Sequence, residues 1–540
     1  MSESYEYIIV GAGSAGSIVA SRLAEAGAKV LLIEAGGTDN RMDIKIPGLL
    51  AGAYKTANWR YPTEPDPSRI SAPEVQMAGK VLGGSGSINS CVYIRGNRGD
   101  FDHWADLGCT GWDYDSVLPS FKRLESWEAG GNLFRGGDGP IAVMEQTDKG
   151  VANQAFFAAA QQAGYPANDD YNGAEQDGVS FVQLNHRRGR RSQSSREYLA
   201  RAGAGLTVAK DAHARRILFE GQRAVGVEFE QQGEIKQAQA SHEVVLSAGS
   251  YGSPKLLLLS GVGPRGELVA HGIAQVAEVP GVGQNLQDHP ALMLRWHARG
   301  VRTMNKPRPL DLIKGLLSYL RNGTGFLAMT AAPMHILAKS DPSRPLPDLQ
   351  LCFAPVALSR EPDESGMFDV KLTKEEGFWT SSIFLHPRTR GTVTLRSAAP
   401  EDYPKIDYRF YEHPDDLRDT LAGMHQIRHI MAQPAMAAIT DGLMEPEASC
   451  TTDADWEAYA KRITHSAHHP VGTCKMGIDD MAVVDPELRV RGVEGLRVVD
   501  ASIMPTITTG NTNAPSMMIG ERGAELILRR RNLAPAAVAG

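Results

Sequence analysis

Tyr5-Glu6-Tyr7-Ile8-Ile9-Val10-Gly11-Ala12-Gly13-Ser14-Ala15-Gly16, an alanine-rich run to Gly27, and then Lys29-Val30-Leu31-Leu32-Ile33-Glu34 decide the fold of this chain. Residues 5–10 predict a short buried strand, residues after Gly16 a helix, and 29–34 a second buried strand. In the G-x-G-x-x-G turn between them, Gly11 permits the tight turn, Gly13 lets backbone approach a pyrophosphate, and Gly16 allows close helix packing. The helix start, with Ser14 beside it, is the expected anion site. Glu34, adjoined by Ala35, ends the second strand roughly 20 residues beyond the first glycine, where a carboxylate accepts hydrogen bonds from adenosine ribose hydroxyls. A Rossmann-like α/β domain that binds an ADP-containing dinucleotide follows, with FAD and NAD not yet distinguished.

The 540 residues are 42% hydrophobic and 22% charged, a composition that supplies large cores. A net charge of -7 with no long basic block excludes a nucleic-acid footprint. The polar start of the chain predicts no leader, and its apolar runs fall short of the roughly 20 residues that cross a bilayer. A cytoplasmic protein is expected, with peripheral membrane contact left open. Five scattered cysteines without a CxxC pair fit a reducing compartment.

Further along, Gly79-Lys80-Val81-Leu82-Gly83-Gly84-Ser85-Gly86-Ser87-Ile88-Asn89 holds more glycine than a turn requires, so its backbone passes close to something flat or charged. Ile88 and Val92 argue against a solvated loop. Residues 243–247 and 496–500 predict further buried strands, each leading into a proline-marked helix. Between them, 300–463 carries many prolines, helical stretches near 310–320 and 415–432, and short strands near 383–386 and 392–395.

His465-Ser466-Ala467-His468-His469-Pro470 places an imidazole, able to accept a proton near neutrality, directly before proline. Three histidines in five residues raise a metal reading. However, adjacent His468 and His469 point apart, and no cysteine or carboxylate cluster completes a site, so no metal is expected.

The glycine-rich loop at 79–89, with 247–263, 281–289, 465–477 and 510–521, resembles the glucose-methanol-choline oxidoreductase family across nearly the whole chain. The resemblance implies an FAD-binding domain interwoven with an α+β substrate domain built on an antiparallel sheet. The expected FAD domain is 1–155, 200–299 and 464–540, and the substrate domain 156–199 and 300–463. It further implies Gly84, Asn89, Ser90 and Val92 as flavin neighbours, Ala214 as an adenine contact through its backbone, Asp500 and Ala501 as cofactor-binding residues, and Asn513 as a cap and flavin neighbour. Some relatives carry, in place of Ile88, a histidine bonded covalently to the flavin; isoleucine implies non-covalent FAD. The family's catalytic histidine matches His469, and its second catalytic position, His or Asn, matches Asn511.

The implied reaction is FAD-dependent oxidation of a small-molecule alcohol to an aldehyde or ketone, with a proton passing to His469 and Asn511 holding the oxygen. The alternative is a hydroxynitrile lyase-type enzyme without net redox. The alcohol, whether choline, aliphatic, aromatic or furanic, stays open, as does the electron acceptor, oxygen or a quinone-type carrier. Phe326, Phe353, Phe378, Trp379 and Phe384 are candidate pocket aromatics.

Overall fold

The apolar runs at 5–10, 30–33 and 243–246 carry side chains that need cover on both faces, and they lie side by side as parallel strands. The computed structural model describes residues 4–70, 73–330, 332–362, 368–446 and 449–533. In the first of its two large sheets, strands Leu206–Ala209, Val30–Ile33, Ser4–Val10 and Glu234–Leu246 are neighbours in that order, all parallel. Arg223–Gln231 and Ala212–Glu220 extend the sheet antiparallel, and Leu496–Val498 returns to pair with Glu234–Leu246. Ile8, Ile9, Val30 and Leu32 are fully buried. Helices Gly16–Glu25 and Asn513–Leu533 pack together beside this sheet.

The second sheet is antiparallel, in the order Thr440–Glu445, Pro290–Ala298, Gly377–Phe384, Leu349–Ala354, Met334–Ala338, Gly178–Phe181, with His465–Ser466 also pairing to Pro290–Ala298. Alternation divides its faces. Met334, Ile336, Leu349, Leu351, Phe353, Phe378 and Phe384 join a core closed by helix Pro414–Met431. Leu337, Cys352, Ile383 and Ala291 on the opposite face pack with Cys91, Val92 and Ile94, partly covered by Trp379 and Ala467. Of the five candidate pocket aromatics, only Trp379 therefore lies on the face toward Val92; Phe353, Phe378 and Phe384 are core, and Phe326 packs against Gly315 of helix Pro309–Asn322.

The expected domain cut at 155/156 passes through an element, and the cut at 299/300 falls just after one. Helix Val151–Gln162 sets Phe156, Ala159 and Ala160 into the core of the second sheet, and strand Pro290–Ala298 is a member of that sheet. Helix Gly249–Leu259 begins ahead of the proline that marks it in the sequence: Pro254 lies inside the helix, and the Ser253 hydroxyl accepts from Ala248 N–H at 3.1 Å.

Candidate active site

The glycine turn is built for close approach from two sides. A Cβ on Gly16 would stand 2.0 Å from the Gly11 carbonyl oxygen, so only glycine lets the helix seat there. Gly83 N–H donates to the Ala12 carbonyl at 2.7 Å, and a Cβ on Gly84 would be 2.9 Å from Gly13 Cα. The loop at 79–89 thus lies directly on the dinucleotide turn. Ser14 Oγ donates to Asn513 Oδ1 at 2.7 Å, which brings the start of the last helix to the same place. Helix Gly16–Glu25 has no side-chain cap and no acid in its first turn; Ser17 and Ile18 N–H donate to the Gly13 and Ala15 carbonyls, so the amides that suit an anion are those of the turn just ahead of them.

Glu34 is buried, accepts from Ala12 N–H at 2.9 Å and Gly36 N–H at 2.8 Å, and is pushed up to about 7 by burial. The adjoining Ala35 is only partly covered. Strand Ala212–Glu220 breaks register between Ala214, which pairs with Phe229, and Arg216, which pairs with Glu228, so Arg215 is the residue out of the ladder, next to Ala214. A groove floored by glycine, headed by bare amides and edged by a carboxylate fits the pyrophosphate and ribose of FAD.

Other expected neighbours are held by the protein itself. Arg191 donates to Asn89 Oδ1 at 2.6 Å and to the Asn89 carbonyl at 2.7 Å, and Thr330 Oγ1 donates to the Ser90 carbonyl at 2.5 Å. The Asp500 carboxylate accepts from Gly249 N–H, Ser253 Oγ, Ser502 N–H and Ser502 Oγ within 2.8 Å. It ties the return strand, through the turn at Ala501, to helix Gly249–Leu259. Ile88 is buried with Ile44, Ala53, Ala57 and Val81 in a small separate cluster.

His469 and Asn511, 42 positions apart in sequence, meet with His469 Nε2 2.8 Å from Asn511 Nδ2. An amide nitrogen only donates, so His469 Nε2 carries the lone pair. The other ring nitrogen, Nδ1, is 3.0 Å from Nδ1 of His289. Burial lowers His469 to about 3, with the nearby His468 adding to the effect, and lowers His289 well below its ordinary value. His469 is therefore neutral, with its proton on Nδ1 donated to His289. Asp288 fixes the loop: it accepts from His469 N–H at 2.9 Å, Ser466 Oγ at 2.5 Å, Tyr408 OH at 2.9 Å and His289 N–H at 2.7 Å. His468, at positive φ, turns away to Gln76, 3.1 Å from its Nδ1.

Sequence reasoning overlooked His289 as a site residue, although His289-Pro290 repeats the His-Pro pairing of His469-Pro470. It also overlooked Gln350, whose Nε2 donates to His335 Nδ1 at 3.1 Å and to Asn511 Oδ1 at 3.4 Å. No local signal marks Gln350.

Family models described as GMC oxidoreductase match residues 5–291 and 387–520. The chain belongs to the GMC oxidoreductase family. Oxygen-dependent choline dehydrogenases from Vibrio vulnificus (strain YJ016) and Rhizobium etli (strain CIAT 652) are 40% and 39% identical to this GMC oxidoreductase, covering 99% and 98% of it and 96% of their own lengths. Among solved structures, pyridoxine 4-oxidase from Mesorbium loti superposes with a TM-score of 0.86 at 28% identity, over 98% of this chain and 100% of that one. A fungal aryl-alcohol oxidase at 23% identity shares the fold, with a TM-score of 0.83. The chain is accordingly an FAD-dependent oxidoreductase that acts on CH–OH donors.

Proposed function

We propose that His469 Nε2 takes the hydroxyl proton of an alcohol while Asn511 holds the same oxygen, and that the carbinol hydrogen leaves as hydride. The 2.8 Å contact between His469 Nε2 and Asn511 Nδ2 carries this reading, because it joins an unprotonated ring nitrogen and an amide donor at one point. FAD, when bound, supplies the hydride acceptor. An alcohol that loses hydride with its proton retained becomes a protonated carbonyl, so proton and hydride leave in coordination. As the proton arrives at Nε2, the imidazole becomes cationic; His289 Nδ1 then accepts from a stronger donor, and the Asn511 amide is released from Nε2 toward the substrate oxygen. General-base assistance of this kind supplies roughly 10²–10⁴-fold.

The relatives named for choline make that cation one candidate, but the surroundings favour an uncharged alcohol. Three of the four inner strands present His335, Leu337, Gln350, Cys352, Ala354, Trp379, Ser381 and Ile383 on the face toward Asn511, with no Asp or Glu among them; the fourth, Pro290–Ala298, carries Arg295 beside Trp379, neutralised by Glu445. Burial lowers His335 to about 3, so it is neutral as well. His335 Nε2, Gln350 Oε1, Trp379 Nε1 and Ser381 Oγ are buried there without a protein hydrogen-bond partner. Such atoms suit a neutral substrate with a second polar group.

The test is anaerobic mixing of the FAD-loaded enzyme with choline and with neutral alcohols bearing a further hydroxyl or carbonyl. Bleaching by the neutral set, and its slowing by 10²-fold or more in His469→Ala that still holds FAD, is expected. Unaltered bleaching in His469→Ala would reject the base, and bleaching by choline alone would reject the substrate class.

A further inference from the structure

Helix Pro309–Asn322 lies on the protein with its apolar side outward. Leu310, Leu312, Ile313, Leu316, Leu317 and Leu320 are between 39% and 71% exposed. The helix rests on its narrow side: a Cβ on Gly315 would be 2.4 Å from the Phe326 ring, Ser318 Oγ is 2.6 Å from Thr324 Oγ1, and Tyr319 OH donates to the Gly189 carbonyl at 3.3 Å. At 100° per residue, the six aliphatic side chains cover about half the circumference. Lys314 and Arg321 border that arc, and Lys306 and Arg308 precede it, all exposed. At the far end, the hairpin bearing exposed Arg188 and Arg190 abuts Gly323. Asp311 is the one acid from 302 to 330 and is paired with Arg308. This basic rim stands on a chain of net charge -7.

We infer that this face docks on the surface of an anionic lipid bilayer, with the leucine arc in the interfacial region and the basic side chains among phosphate headgroups. Among the described residues no helix is long and apolar enough to cross a membrane, so the contact is monotopic. A second copy of the chain suits the face less well, since a two-fold contact across it would set this basic rim against itself. Docking also bears on the site: the segment leaving the helix reaches Thr330, which holds the Ser90 carbonyl of the glycine-rich loop. The loop expected along the flavin is thus tied to the membrane-facing segment.

The experiment is co-sedimentation of FAD-loaded enzyme with phosphatidylglycerol/phosphatidylcholine vesicles and with phosphatidylcholine alone, at low and high salt, beside size exclusion without lipid. The expected result is sedimentation with the anionic vesicles, weakened by salt. Ile313→Asp/Leu317→Asp should abolish it, and Lys314→Glu/Arg321→Glu should weaken it by roughly 25-fold or more, about fivefold per lost cation. Both variants should bleach with alcohol as the parent does, which confirms their folding; should the first not fold, the second decides. Enzyme that stays in the supernatant with anionic vesicles overturns the proposal, as do variants that bind like the parent. So does a lipid-free dimer that Ile313→Asp/Leu317→Asp dissociates while vesicle binding is absent in the parent, since the face then belongs to a second copy.

Discussion

Replacing Asn511 by aspartate exchanges the amide beside His469 for a carboxylate of the same shape. In the parent, burial holds the imidazole at about 3, so it is neutral and ready to accept a proton throughout pH 5–8, and flavin reduction by a good substrate should be flat over that range. A carboxylate 2.8 Å from Nε2 favours the imidazolium. At an effective dielectric near 20, a unit pair at that distance is worth about 6 kcal/mol, which carries the imidazole up to roughly 7. The group's proton then blocks the lone pair at and below neutrality. Asn511→Asp should therefore reduce its flavin slowly at pH 6 and progressively faster toward pH 9, with one proton shared by the pair. Anaerobic stopped-flow traces of flavin absorbance from pH 5 to 9 read this directly. A variant as fast as the parent and equally flat would refute both the assignment of Nε2 as the accepting atom and the contact on which it rests.

Glu34→Ala strands the buried amides of Ala12 and Gly36, at roughly 1–3 kcal/mol each, and removes the expected ribose acceptor; purified variant should show a lower flavin-to-protein absorbance ratio and a lower Tm, and full flavin occupancy would count against the site. Ile88 cannot bond to a flavin and points into its own cluster, so acid precipitation should leave the yellow colour in the supernatant; a coloured pellet would show a covalent attachment elsewhere.

What the sequence made legible was local. The turn at 11–16 announces itself because glycine is needed where a Cβ would strike the Gly11 carbonyl, and the acid at 34 stands at a spacing set by one helix and one strand. His469 was legible as an imidazole held before proline. The pairing of Pro290–Ala298 was not: its partners lie near 380, 443 and 466, and nothing in an apolar run names a distant neighbour. Gln350 was missed for the same reason, since its value comes from which face of a strand turns toward residue 511. Periodicity marked the helix near 310–320, yet an amphipathic pattern does not tell whether its leucines turn toward the protein or away from it.

The placement of the proposed proton acceptor has a consequence for how this scaffold changes its diet. Pro290 pairs with Ser466 and Ala291 with His465, so a two-residue ladder of main chain, clamped by Asp288, sets where both imidazoles aim. The groups proposed to face the substrate belong to other strands and speak through side chains alone. On the proposed reading, exchanges at 335, 350, 352, 379 and 381 retune which alcohol is accepted while the aim of the base stays put, a division of labour suited to descent into many specificities and to laboratory redesign along the same lines.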